Sequence, residues 1–231
     1  MLTELEWQAL LLSARVASWA TLGCLIPGIF FGWLLARRKF FGKSIVEAMV
    51  YLPMVLPPVV PGYLLLVLFG EQGFLGKWFR ENLGWHVAFT WKGAALASAV
   101  IAFPLMVQAV RLSIKLIDLR LENAARTLGA SAWRVFFTIT LPLSLPGLLA
   151  GSIMTFSRAL GEFGATITFV GNIPGETRTL PLAIYSAMHQ IDGDTHVVRL
   201  IIICIALTFT SLLISNAISR RSEKWLGAHH D

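Results

Sequence analysis

Arg158 and Glu162 stand four residues apart in an otherwise apolar stretch, a spacing that puts a guanidinium and a carboxylate on one face of a helix. Near the centre of a bilayer each would cost about 2.5 to 3.5 kcal/mol on insertion scales, so both must face protein or water. Two roles fit such a pair. Arg158 can attract an anion transiently along a path while Glu162 keeps it from becoming a trap, or the two can neutralise each other and fix helix packing. Bond-making chemistry is less well served. The histidines, His86, His189, His196, His229 and His230, fall in expected loops or the tail, and the H-E-x-x-H spacing of zinc proteases does not occur. No Asp or His lies in an apolar stretch, where hydrolysis within a membrane would need a base or an acid pair. Phe41-Gly42-Lys43-Ser44 has the ending of a phosphate-binding loop, but Arg37 occupies the position five before Gly42 where that loop needs glycine. Cys24 and Cys204 each sit alone in apolar surroundings, so they offer neither a disulfide framework nor a metal pair. Neither a cofactor nor an enzyme activity is expected.

The elements that must carry these residues are set by composition. Of 231 residues, 56% are hydrophobic and 14% charged, against roughly 25% charged in soluble chains, and the mean hydropathy is +0.70. A spanning helix needs about 20 apolar residues, and five stretches qualify: Val16 to Ala36, Ile45 to Gly70, Gly93 to Val110, Leu145 to Val170 and Leu200 to Ile218. The expected architecture is all-α and polytopic, a single transmembrane unit over residues 1–231. The first stretch is longer than a signal-peptide core and lacks a small-residue cleavage site, so it is read as part of the mature chain.

Orientation follows from where Lys and Arg fall, because cytoplasmic loops retain them. Arg37, Arg38, Lys39, Lys43, Arg111, Lys115, Arg120, Arg126, Arg134, Arg220, Arg221 and Lys224 belong to one side. Arg15, Lys77, Arg80, Lys92, Arg178 and Arg199 belong to the other. With the acids included, the first side carries +7 and the second −1, which places the N-terminus outside and the C-terminus inside. The net charge of +6 thus records membrane orientation, and no nucleic-acid partner is implied.

Two segments break the pattern of plain spans. Pro53, Pro57, Pro58 and Pro61 interrupt the second stretch, each removing a donor and crowding the preceding turn. Freed carbonyls are tolerated only against other helices or water, so this stretch is expected at the subunit core, with Pro57 and Pro58 as candidates to line a path. Between the third and fourth stretches, residues 111–144 form a long cytoplasmic segment. Leu121, Ala125 and Leu128 recur as one face of an amphipathic helix, Gly129 supplies its end, Ser131 can cap a second short helix, and Pro142 and Pro146 are expected to close the segment. Gly147 and Gly151 have the small-xxx-small spacing of close helix packing. Residues 173–195 are too polar to span and are expected as an outer loop.

Within that cytoplasmic segment, Glu122-Asn123-Ala124-Ala125 is followed by three residues, Gly129, nine residues and Ile139-Thr140-Leu141-Pro142. This resembles the E-A-A, G, I-x-L-P motif of ABC importer permeases, with Ala124, Ala125, Gly129, Ile139, Leu141 and Pro142 in register. Asn123 stands where that family usually has Glu, and Glu122 is displaced by one, which rotates its carboxylate by about 100° around the helix. Leu52 to Tyr63 and Arg158 to Thr166 are similar to the molybdate branch of the molybdate and sulfate permeases, so the resemblance covers nearly the whole chain. It implies the type I importer permease fold with five transmembrane helices in the inner membrane, and transport of molybdate, or of tungstate or sulfate. It also implies residues 118–142 as the segment that contacts the ATPase. The implied partners are two cytoplasmic ATPase subunits, a second copy of the chain and an extracytoplasmic oxyanion-binding protein. A secondary anion transporter driven by an ion gradient is the alternative; it would show inverted repeats and acids at the midplane, where only Glu162 qualifies. A membrane assembly protein is a third reading.

Overall fold

The computed structural model describes residues 3–190 and 194–227, and in the last helix the side chains of residues 196–214. The side chains of Arg220, Arg221, Glu223 and Lys224, together with Asp192, His229, His230 and Asp231, therefore lie outside the description. Among the described residues every regular element is helical. In chain order these are α1 (Glu4–Arg37), α2 (Lys43–Val55), α3 (Val59–Phe69), α4 (Phe74–Leu83), α5 (Trp91–Leu116), α6 (Leu119–Thr127), α7 (Ala132–Val135), α8 (Leu141–Leu160), α9 (Gly164–Val170), α10 (Leu180–Met188) and α11 (Asp194–Gly227), with a π-helical turn over Phe136–Thr140 joining α7 to α8. Four helical stretches are long and apolar enough to cross a membrane, and there are five if the bent pair α2–α3 counts as one.

The first helix begins well before the apolar stretch at Val16. Thr3 caps it, its hydroxyl accepting from the Glu6 amide at 3.3 Å while Glu6 accepts from the Thr3 amide at 2.8 Å. This reciprocal box satisfies two backbone donors that would otherwise be orphaned. At 1.5 Å per residue its 34 residues reach about 51 Å, well beyond a hydrocarbon core of about 30 Å.

Helices α1, α5 and α8 form the packed centre, and small residues set how closely they approach. A β-carbon on Gly32 would lie 2.6 Å from a Val110 methyl, and one on Gly28 would collide with Met106. On the other side of α5, Gly147 faces Ser113 with no room for a β-carbon, and one on Gly151 would lie 2.9 Å from Ala109. The spacing of Gly147 and Gly151 is thus a packing device, as the sequence suggests.

Two expected spans are divided. The proline-rich second stretch bends by 108° between α2 and α3, with Leu56, Pro57 and Pro58 between them. The fourth expected span, Leu145 to Val170, is corrected at both ends. Its helix continues back through α8, the π turn and α7 to Ala132, and it stops at Leu160, with α9 restarting at Gly164. Gly161 and Gly164 weaken the helix there, since glycine gives up more freedom on becoming helical than other residues. Pro142 and Pro146 were expected to close the preceding segment, but the helix passes through both. Pro142 lies at the start of α8 directly after the π turn, where the wider turn accommodates its ring and missing N–H. Within residues 173–195, α10 packs its buried Leu180 and Ala187 with Ala9 of α1 and Leu200 of α11.

Candidate functional site

Asp118 starts α6 by accepting from the Arg120 amide at 2.9 Å, and the helix then presents its predicted apolar face to the outside. Leu121 is 50% exposed and Leu128 89% exposed. The inward side is carried by Glu122, which is buried. Its carboxylate accepts from the Arg37 Nε at 3.0 Å and from the Thr140 hydroxyl at 3.0 Å. Arg37 also donates to the Ile117 carbonyl at 3.0 Å. Three elements are thereby pinned at one point: the end of α1, the start of α6 and the π turn that leads into α8. The sequence shows that Glu122 is rotated away from Asn123; its destination, a guanidinium 85 residues earlier in the chain, is a tertiary fact. Arg37, Ile117 and Thr140 were missed for that reason, Arg37 being read only as part of a basic run.

The rest of the motif surrounds this anchor. Asn123 and Ala124 are exposed and Ala125 half-buried. Gly129 has φ +84°, a left-handed conformation that ends the helix at little cost only for glycine, and the Gly129 and Ala130 amides return to the Arg126 and Ala125 carbonyls at 3.0 Å. Ser131 then caps α7, accepting from the Arg134 amide at 3.3 Å. Trp133, 73% exposed, stacks on Phe137 with ring centroids 6.1 Å apart. Ile139 and Leu141 are half-buried and Pro142 is exposed. Leu121, Leu128 and Trp133 therefore leave large apolar surfaces exposed on this segment. This is the form expected of a short helix that seats in a groove of another protein.

The second cluster lies where the two broken helices meet. Arg158, in the last turn of α8, pairs with Glu162 at 2.8 Å; its side chain is 36% exposed while that of Glu162 is 1% exposed. Glu162 lies past the end of α8, so the pair bridges a break where the sequence suggested one helical face. The other carboxylate oxygen accepts from the Ala165 amide at 2.9 Å, satisfying a donor at the start of α9. At this break Gly164 sits against the α2–α3 bend, where a β-carbon on it would be 2.7 Å from that of Pro58. One on Gly62 would be 2.7 Å from the Ala165 carbonyl oxygen. Pro58 and Glu162 are thus brought to one junction, with the Arg158 guanidinium half-open to its surroundings and Pro57 and Pro58 exposed. A buried carboxylate held by one guanidinium and one amide can fix a junction, and the open side of Arg158 can meet an anion.

The far ends of the helices carry a separate polar group. Glu6 of α1 accepts from Arg199 at 3.3 Å and meets His196 at 3.0 Å, both from α11. The Trp91 amide donates to Glu176 at 3.4 Å, and the Arg15 guanidinium lies 3.7 Å over the Trp91 ring. Arg37, Glu47, Arg111 and Glu122 lie at the opposite end of α1 and α5, where Arg111 also bonds Glu47. Among the described residues no three of His, Cys, Asp and Glu converge as metal ligands would.

The family described as binding-protein-dependent transport system inner membrane component matches residues 28–226. The molybdenum transport system permease protein ModB of Escherichia coli (strain K12) is 56% identical over 227 residues, covering 98% of this chain and 99% of that protein. The probable sulfate transport system permease protein cysT of Chlorella vulgaris is 36% identical over 208 residues, covering 90% and 77%. Among solved structures, the MetNI methionine ABC transporter in an inward-facing conformation superposes with a TM-score of 0.73 at 17% identity, over 96% of this chain and 99% of that chain.

Proposed function

This chain belongs to the binding-protein-dependent transport system inner membrane components, and on that premise we propose that it is the permease of an ATP-driven importer that moves molybdate across the inner membrane. The observation that carries the substrate is the 56% identity to a molybdenum permease along nearly the whole of both chains. The 36% identity to a sulfate permease makes sulfate the second substrate to test, with tungstate as a chemical relative of molybdate. The permease does no chemistry; a separate ATPase subunit hydrolyses ATP, and a binding protein delivers the oxyanion.

The finer reading has five spans, with α2–α3 as one broken span, the N-terminus outside and the C-terminus inside. The basic residues gathered around Arg37 and Arg111 support that orientation through their usual cytoplasmic retention. A second copy completes a path along the shared axis. Residues 118–142 receive the ATPase, with Asn123, Ala124, Ala125, Gly129, Leu128 and Trp133 at the contact. Glu122, Ile139, Leu141 and Pro142 hold that contact to the spans. Arg158, Glu162, Pro57 and Pro58 border the path. Closure of the ATPase pair and the outward-facing state then favour each other, which is a linkage between two sites.

Reconstitution in vesicles tests this reading. Molybdate uptake should require the ATPase, ATP and the loaded binding protein together. Uptake driven by an ion gradient without ATP would overturn it, and sulfate-loaded binding protein outperforming molybdate would reassign the substrate.

A further inference from the structure

Between α1, α2 and α5 runs a groove of about 490 Å³. It is walled by Cys24, Phe31, Met49, Val50, Pro53 and Phe103, among others. Its lining side chains are all apolar apart from the Cys24 thiol, which donates to the Ala99 carbonyl at 3.4 Å. Gly23 keeps it open: a β-carbon there would meet nothing within 4 Å. The groove sits alongside apolar helices at membrane depth, and its lining residues Phe31 and Val46 lie six residues before the end of α1 and three after the start of α2, on the side of the turn that links them. That turn carries Arg38, Lys39 and Lys43 together with Phe40 and a fully exposed Phe41. Arg38 lies 5.2 Å over the Trp33 ring. The Lys43 ammonium donates one hydrogen to the Arg38 carbonyl at 3.1 Å, leaving its others available. The nearest acid in sequence, Glu47, is occupied by Arg111.

We propose that this groove holds one acyl chain of an anionic phospholipid whose phosphate rests on Arg38, Lys39 and Lys43. A dry apolar channel suits hydrocarbon, and basic residues at the interface attract anionic headgroups. The exposed Phe40 and Phe41 offer apolar surface to the boundary between headgroups and acyl chains beside it. The basic turn at that end favours a molecule that terminates in a negatively charged group. The assignment rests on membrane embedding and is independent of the transported oxyanion.

The natural full-length chain, incubated with phosphatidylglycerol bearing a photoreactive acyl chain, should form adducts on peptides containing Phe31, Met49 or Phe103. Adducts confined to other peptides would overturn the proposal. Native mass spectrometry should show one retained lipid per chain, with phosphatidylglycerol favoured about tenfold or more over phosphatidylcholine of the same chains. Combined Arg38→Gln, Lys39→Gln and Lys43→Gln should remove that preference. Gly23→Phe, which fills the groove from α1, and Met49→Trp, which fills it from α2, should each abolish retention. Equal retention of both lipids by the natural chain would refute the headgroup contact, and unchanged retention in both filling variants would refute the groove. Disulfide-linked pairs formed by copies carrying Gly23→Cys would assign the groove to a second copy instead.

Discussion

The Arg37 guanidinium closes on the Glu122 carboxylate at 3.0 Å, joining the last turn of α1 to the helix that carries the motif, with both side chains nearly enclosed. A charge left alone in such a place is costly, because its partner's attraction is lost while its desolvation remains. Glu122→Ala should therefore lower stability by about 3 kcal/mol, and Thr140→Val, which removes one neutral donor, by about 1 kcal/mol. Thermal unfolding midpoints of the purified variants measure this. In the reconstituted importer, Glu122→Ala should retain ATP hydrolysis while losing most uptake, and equal loss of both would argue that the anchor only supports the fold.

Gly129 separates backbone strain from contact. Its φ of +84° penalises any side chain by about 1 to 2 kcal/mol, yet a β-carbon there has open space. Gly129→Asn should be tolerated, since Asn enters the left-handed region more readily than most residues. Gly129→Trp should insert into the membrane normally but block uptake by displacing the partner. Uptake at the natural rate by the tryptophan variant would remove this surface from the coupling contact.

The Arg158–Glu162 pair is asymmetric, with one side chain enclosed and the other half-open. Glu162→Gln should keep the bond from the Ala165 amide and lose little stability, while Glu162→Leu should lose both contacts. Arg158→Ala strands a buried carboxylate, so it should cost about 1 to 2 kcal/mol, less than a fully enclosed pair. Adding Glu162→Gln to Arg158→Ala should recover part of that loss, which a double-mutant cycle on unfolding midpoints reads. Uptake by Arg158→Ala unchanged at every substrate concentration would assign the pair to packing alone.

Close approach between α5 and α8 predicts a graded series. Gly147→Ala, facing Ser113 without clearance, and Gly151→Ala, at 2.9 Å from Ala109, should each cost about 1 to 3 kcal/mol by overpacking. Gly23→Ala, with open space in the middle of α1, should raise stability by about 0.5 to 1 kcal/mol. Unfolding midpoints that rank the three otherwise would contradict the helix spacing.

Much of this architecture was legible because burial in a membrane leaves a plain trace in hydropathy. The stretches Val16 to Ala36 and Gly93 to Val110 fall inside α1 and α5, the prolines at 53 to 61 mark the 108° bend, and Gly129 and Ser131 end one helix and cap the next. The break at Gly161 was hidden because Leu160 and Ile167 to Val170 are equally apolar on both sides, and hydropathy carries no information about the direction of a helix axis. Pro142 misled for a related reason: whether a proline stops a helix depends on the turn preceding it, and here a π turn absorbs it. The amphipathic face of α6 was read correctly as apolar, but which side it meets was decided by the Arg37–Glu122 pair. A displaced glutamate hints that such a partner exists without saying where.

The first helix joins the two polar ends of the molecule without interruption. It is fastened to α11 through Glu6 at one end, and to Glu122 of α6 and the Ile117 carbonyl through Arg37 at the other. Each end of this helix is thus held by a buried carboxylate, Glu6 from the helix itself and Glu122 from α6.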